Sequence, residues 1–236
     1  MIINIYAPTY HRNEFTFKCL DSLVPAIVNS KHHVKLYIGD NNSNDELVSY
    51  LKEYHNKPYC QLTLSPKNLG KANMINLLHS KARKCEIVIT IDTDLVTINN
   101  NWIDEIVDCL SNNKEFGVLS TEQLTNGQHL KKRFDKIKEY NGHKILYGSF
   151  TGVAGGCVVM TNDDWNTVGG YRSFGVYGGV DATLMQNVNR MLKKECGVVE
   201  TIPLDHPFDD DKGYEKWKHD NISLSKTSSI GYFDKG

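Results

Sequence analysis

The chain has 236 residues, 40% hydrophobic and 23% charged, with a formal net charge of −1. That length supports one large domain with a sizeable core, and the near-neutral charge gives no polyelectrolyte character pointing to nucleic acid or a membrane surface. No apolar run approaches the ~18–20 residues of a bilayer span.

The opening "MIINIYAPTYHR" lacks the basic and apolar regions of a signal peptide and is expected to be a first strand. Residues 2–8 form that strand, ended by Pro8. Asn13 to Val28 carries Phe17, Leu20, Val24, Ile27 and Val28 at helical spacing. "VKLYIGD" (34–40) alternates like a strand, and Ser43 and Asn44 are candidate N-caps for a helix through Tyr54. A third strand is expected at 60–65, a helix from Gly70 to Ala82 and a fourth strand from Glu86 to Ile91. Asn101 to Leu110 is amphipathic through Trp102, Ile106 and Leu110. This alternation predicts a mostly parallel sheet covered by helices, with ligands beyond the carboxyl ends of the strands. The polar clusters "PTYHR", "GDNNSND" and "DTD" each follow a strand directly.

The second half reads differently. Residues 120–148 are polar, basic and weakly periodic, and are expected to pass over the sheet as an excursion. Residues 152–160 form a strand with a glycine-rich entry, and 163–171 a short helix and turn. Asp181 to Lys194 is a helix facing inward through Leu184, Val188, Met191 and Leu192, and 197–204 is a last strand. Past about Asp220 little apolar pattern remains. The six cysteines are scattered singly, so reduced thiols packed as small hydrophobes are expected, in a cytoplasmic setting, rather than disulfides or zinc.

Several residues can carry chemistry. Residues i and i+2 of an extended segment project to one side, so Asp92 and Asp94 can share a hard divalent cation or a polyol; the alternative is a strand that ends in an acidic turn. A ligand is expected to relieve their repulsion. Asp40 can accept from a nucleobase or ribose, or can close an Asx-turn. Gly70 and Lys71 open a helix where backbone can approach a phosphate, or form an ordinary loop. Asp181 is a helix cap or a general base at the rim of a cleft. His206 is a surface histidine or a metal ligand.

Together and in this order, these segments resemble the family-2-like nucleotide-sugar glycosyltransferases of the GT-A fold, from residue 2 to about 218. The resemblance implies a single Rossmann-like α/β domain over 1–236 with a small acceptor-side subregion. Residues 1–118 would be the nucleotide-sugar-binding half, 119–220 the acceptor and catalytic half, and 221–236 a tail. It implies a hexosyltransferase-like enzyme using a nucleoside-diphosphate sugar and Mn²⁺ or Mg²⁺. Pro8, Tyr10 and Arg12 of "APTYHR" would meet the nucleotide, Asp40 and Asn41 its base, and Asn68, Gly70 and Lys71 of "NLGKANMIN" lie near it. In "IDTD", Asp92 would face the ribose with Thr93 beside it, while Asp94 and His206 hold the metal. Gly155, Gly156, Gly178 and Gly179 would line the sugar and acceptor site, and Asp181 of "YGGVDATL" would be the base of an inverting transfer. Where the family has an acidic pair before that helix, this chain has Val180-Asp181. No added domain or membrane helix follows the histidine segment, so a near-minimal catalytic domain is expected.

Two alternatives stay open beside a glycan or lipid-linked saccharide acceptor. One is a nucleotide-sugar-binding protein without transferase activity. The other is a phage-type glycosyltransferase acting on hydroxylated DNA bases, suggested by "HLKKRFDKIKEYNGHK" (129–144), which holds six Lys/Arg against two acidic residues.

Overall fold

β1 (Ile2–Thr9) is buried along nearly its whole length, as a strand covered on both faces must be. It lies between β2 (His33–Asp40) and β4 (Ile87–Ile91), parallel to both, and β3 (Cys60–Leu64) adds outside β2, also parallel. The crossovers are α1 (Asn13–Asn29), α2 (Asp45–His55) and α3 (Gly70–Lys81). Successive strands step outward from β1 to β3, and then the chain returns to place β4 on the other side of β1. That reversal opens a crevice at the carboxyl ends of β1 and β4, the usual ligand position in such sheets. Pro8 falls inside β1 rather than at its end. It is tolerated because β4 pairs with β1 only through Tyr6, leaving one side unpaired at Pro8.

This computed structural model describes residues 1–125, 128–129, 134–148, 153, 155–173 and 180–206. After β4 come β5 (Val96–Thr97), α4 (Trp102–Asn112), β6 (Phe116–Thr125), β7 (Gln128–His129), β8 (Lys136–Tyr140) and β9 (His143–Tyr147). Then follow β10 (Cys157–Thr161), α5 (Asn162–Val168), α6 (Val180–Asn187) with a π-helical turn over Val188–Leu192, and β11 (Glu195–His206). The sheet order is β3-β2-β1-β4-β10-β6-β11-β9-β8, with β5 paired to β11 and β7 to β6. β10 is antiparallel to both β4 and β6, and β11 is parallel to β6. The parallel part is therefore the four-strand N-terminal half, and the sheet is mixed beyond it.

Alternate strand residues feed two cores. Ile5, Leu36 and Ile89 pack with α1, α2 and α4 residues such as Leu20, Leu51 and Ile106. Tyr6, Tyr37 and Val88 pack on the other face with Met74, Trp165 and Leu184. All six cysteines are buried and unpaired, as expected. No described helix is long and apolar enough to cross a membrane.

Two expectations need correction, and one pair of alternatives is decided. The described strands within 120–148 are not an excursion: β6 is an interior strand, and β8–β9 forms the far edge of the sheet. Polar Ser120, Thr121 and Glu122 are buried in β6, which disguises it. Asn141 and Gly142, with φ of 47° and 81°, make the tight turn of the β8–β9 hairpin. Asn44, not Ser43, caps α2 by accepting from the Leu47 N–H at 2.9 Å. Met191 is 49% exposed rather than inward, because the π-helical turn breaks the 3.6-residue spacing ahead of it.

Replacing Ile89→Ala, at 0% exposure between β1 and β10, is expected to lower unfolding free energy by about 2–5 kcal/mol. Ile137→Ala, at 64% exposure on the edge strand, is expected to change it by less than about 0.5 kcal/mol. Urea denaturation midpoints check the contrast.

Candidate active site

Asp92, Thr93 and Asp94 leave β4 in a turn that neighbouring strands fix. The Asp92 N–H donates to the Gly156 carbonyl at 2.6 Å, just ahead of β10, and the Leu95 N–H donates back to the Asp92 carbonyl at 3.2 Å. The Thr93 hydroxyl donates to the Pro8 carbonyl at 3.2 Å, across the crevice between β1 and β4. Because the segment turns, the two carboxylates reach different cations. Lys71 Nζ lies 2.8 Å from Asp92, and Arg12 Nη1 lies 2.6 Å from Asp94. The protein's own cations therefore relieve the repulsion expected to need a ligand.

Each cation is delivered by local geometry. His11 and Arg12 both take left-handed backbone, with φ of 52° and 56°, which swings the chain from β1 into α1. The Arg12 guanidinium lies 4.2 Å from the centre of the Phe15 ring, a cation–π contact that limits its freedom. Lys71 stands in the first turn of α3, after Gly70 at φ 76°. The Asn68 side chain accepts from the Gly70 N–H at 2.8 Å, and the Asn41 side chain from the Leu69 N–H at 3.0 Å. Beside them Asp40, 1% exposed, accepts from the Thr9 hydroxyl and the Ser43 N–H, both at 3.0 Å. Asp40, Asn41 and Asn68 thus brace the loops around the crevice.

His206 arrives from the far side of the sheet. β11 runs parallel to β6, and its last residues pair antiparallel with β5, Leu204 opposite Thr97 and Asp205 opposite Val96. Since β5 starts two residues after Asp94, this short ladder brings His206 Nε2 within 3.2 Å of the Asp94 carboxylate. Asp181, in the first turn of α6, lies 3.3 Å from Lys71 Nζ, which also donates to the Gly155 carbonyl at 2.8 Å.

The electrostatics follow from three carboxylates facing two cationic side chains. Burial raises Asp92, and although Lys71 opposes this, Asp94 and Asp181 add repulsion, so its carboxyl is pushed up to about 6. Burial also works against charge on Asp94, but the hydrogen bond from His206 and the guanidinium of Arg12 outweigh it and bring the group down to about 2. Burial disfavours the Lys71 ammonium, yet Asp181 and Asp92 hold it well above the usual lysine range.

Arg12, Lys71, Asp92, Asp94, Gly155, Asp181 and His206 therefore meet in one contact network, with Pro8, Thr93 and Gly156 supplying its backbone frame. Tyr10 sets its ring 4.4 Å from that of His11, centre to centre, with the planes tilted by 57°. Gly178, Gly179 and the acidic run 209–211 lie outside the described residues. Two participants escape the sequence reading. Tyr171 places its ring 5.7 Å from Lys71 Nζ and shares a hydrogen bond with Thr90 at 3.1 Å. Gln123 packs its amide against Gly156. Neither carries a motif; only the strand pairing of β6 and the turn after α5 bring them close.

Among the described residues no group of three or more His, Cys, Asp and Glu side chains gathers as a metal cage. One carboxylate and one imidazole 3.2 Å apart are spaced as two neighbouring ligands of a single ion at ~2.1 Å would be. That oxygen and nitrogen pair fits Mg²⁺ or Mn²⁺, which complete their shells with water and phosphate.

This architecture is the GT-A fold. Superposition finds a mannosyltransferase from Pyrobaculum calidifontis in complex with GDP-mannose and Mn²⁺, at a TM-score of 0.67 and 15% identity, covering 96% of this chain and 65% of that one. GalNAc-T7 with UDP, GalNAc and Mn²⁺ matches at 0.64 and 11% identity, covering 87% and 43%. Residues 1–349 of S. aureus TarS in complex with UDP-GlcNAc match at 0.64 and 13% identity, covering 89% and 59%. The chain thus spans less than two thirds of each of these structures. No curated protein matches it by sequence. Residues 5–166 match glycosyl transferase family 2, and the chain belongs to that family.

An Asp92 raised above its unfolded value favours the folded state fully only below the ordinary carboxylate range, and that contribution falls as pH rises toward 6. Asp92→Asn mimics the protonated group. With chelator present it is expected to stabilise the protein by roughly 1 kcal/mol at pH 7.5, after discounting for partial exposure, and by less at pH 5. Urea denaturation at both pH values checks the sign.

Proposed function

We propose that this protein moves a sugar from a nucleoside-diphosphate sugar to an acceptor hydroxyl, with inversion, using a divalent cation held by Asp94 and His206. The observation that carries this is the meeting of His206 with Asp94, and of Lys71 with both Asp92 and Asp181, at the switch point of the sheet. The Mn²⁺ and nucleotide sugars in the neighbours' complexes support the same donor class.

When bound, the cation would supply positive charge for the departing diphosphate. The chain's own residues do the rest. The loops braced by Asp40 and Asn41, with Pro8, Tyr10 and Arg12, receive the nucleotide, and Asp92 accepts from the ribose. Asn68 and Gly70 set the α3 start that carries Lys71. Gly155, Gly156, Gly178 and Gly179 belong to the segments that would line the sugar and acceptor site. Asp181 takes the proton of the attacking hydroxyl. Residues 1–118 form the donor half and 119–220 the acceptor half, in a cytoplasmic setting that the six unpaired cysteines support.

The acceptor we favour is a glycan or lipid-linked saccharide rather than DNA. Lys136 pairs with Glu195, and Lys138 with Glu115, so two charges of the basic segment are already answered. Its hairpin also pairs with β11 at Gly197–Val199, before the bulge between Val199 and Pro203 and therefore away from the His206 end of that strand.

A thermal-shift screen of UDP, GDP and their hexoses, with and without Mn²⁺, is expected to show a nucleotide shift that depends on the ion. Asp94→Ala should remove that dependence. With the donor so found, Asp181→Asn should leave donor affinity within about threefold and lower transfer by ~10²–10⁴-fold. Near-wild-type transfer would overturn the base assignment, and donor binding without transfer or hydrolysis would favour a binding-only protein. NMR of the product's anomeric proton tests inversion.

A further inference from the structure

The sequence places the lysine of the α3 start near the nucleotide, yet its contacts run to the protein. A lysine ammonium has three N–H donors. Three acceptors surround that of Lys71: Asp92 at 2.8 Å, the Gly155 carbonyl at 2.8 Å and Asp181 at 3.3 Å. Its donors are matched before any substrate arrives. Asp181 in turn rests directly on Gly155. A Cβ built at position 155 would fall 1.8 Å from the Asp181 carboxyl carbon and 2.1 Å from each of its oxygens. Gly155 therefore serves twice, with its carbonyl fixing Lys71 and its bare Cα making room for the carboxylate that Lys71 holds.

We infer that Lys71 is a positioning residue, whose ammonium holds the Asp181 carboxylate against Gly155 and ties it to Asp92. Neither carboxylate is linked to the other directly, and each repels the other; one ammonium between them turns that repulsion into a fixed arrangement. The tether joins α3 to the first turn of α6, elements that come from the two halves of the chain. A ligand that engages Asp92 thereby acts on the cation that places Asp181. What Asp181 then does rests on the transferase proposal; its placement does not.

Crystal structures of the wild type, Lys71→Ala and Gly155→Ala provide the first test. In Lys71→Ala the Asp181 carboxylate should leave Gly155, and Gly155→Ala should displace it with Lys71 intact. Calorimetry with UDP and GDP in Mn²⁺ and hydrolysis of the matching UDP- or GDP-hexose provide the second. Lys71→Ala should lose at least ~10²-fold in turnover while nucleotide affinity moves less than about threefold. Added ethylammonium should restore part of the turnover in Lys71→Ala and none in Asp181→Asn. A carboxylate that stays on Gly155 in Lys71→Ala would overturn the tether. So would a loss of nucleotide affinity as large as the loss of turnover, since Lys71 would then be a donor ligand. A wild type that neither binds nucleotide nor turns over would overturn the proposed function, and the crystal structures would still decide the tether.

Discussion

Three carboxylates share the mouth of one crevice, and the cost of that concentration shapes the rest of the site. An ion removed from water is penalised by several kcal/mol unless it is paired at short range. Here Asp94 has Arg12 at 2.6 Å, while Asp92 and Asp181 divide a single lysine between them. The two outcomes differ in kind: Asp94 is held firmly ionised, and Asp92 is left marginal. One unit of negative charge stands unanswered among these five side chains. The cation and diphosphate of the proposed function would suit such a state together, because their combined charge is small and each reduces the other's desolvation.

Such a balance needs side chains from remote parts of the chain to end at one edge. Parallel pairing does this for β1, β2 and β4, whose carboxyl ends coincide. The remaining pieces depend on the mixed half. Because β10 is antiparallel to β4, with Cys157 opposite Ile91, its entry rather than its exit faces the DTD turn, and Gly155 and Gly156 sit there. Because β6 reverses again and β11 follows it in parallel, the end of β11 returns to the same edge with His206. If β10 ran parallel to β4, its entry, with Gly155 and Gly156, would lie at the opposite edge, whereas β11 runs in the same direction as β4 and brings His206 to this edge by its carboxyl end.

How much of this is legible in the sequence varies with the kind of signal. The first half shows well. In α1 the buried Leu20, Leu23 and Ile27 recur at helical spacing, and in β2 the buried Val34, Leu36 and Ile38 alternate along one face of the strand. Polar residues that interrupt apolar runs mark the DTD turn and the Lys71, Asp181 and His206 segments, but only the order in which they resemble the family's segments assigns them to one site. β6 is hidden by Ser120, Thr121 and Glu122, polar residues whose burial only the neighbouring strands create. β5 is two residues long and carries no pattern, yet it aligns His206 with Asp94. Pairings of Lys71 with Asp181, or Arg12 with Asp94, have no local signature at all, because topology alone sets those distances.

The adjacent glycines Gly155 and Gly156 show how narrowly that topology is drawn. Their neighbours are different: the Asp181 carboxylate fills the space a side chain would need at 155, and the Gln123 amide, 2.2 Å from a built Cβ, fills it at 156. Their carbonyls are also engaged separately, one by Lys71 and the other by the Asp92 N–H at 2.6 Å. The pair thus forms a bare backbone spacer that joins α6, β6, α3 and the turn after β4. A methyl at either position would move a different partner, Asp181 in one case and Gln123 in the other. Removal of a side chain at 155, as much as placement of the charged ones, is what allows Asp181 and Asp92 to share Lys71.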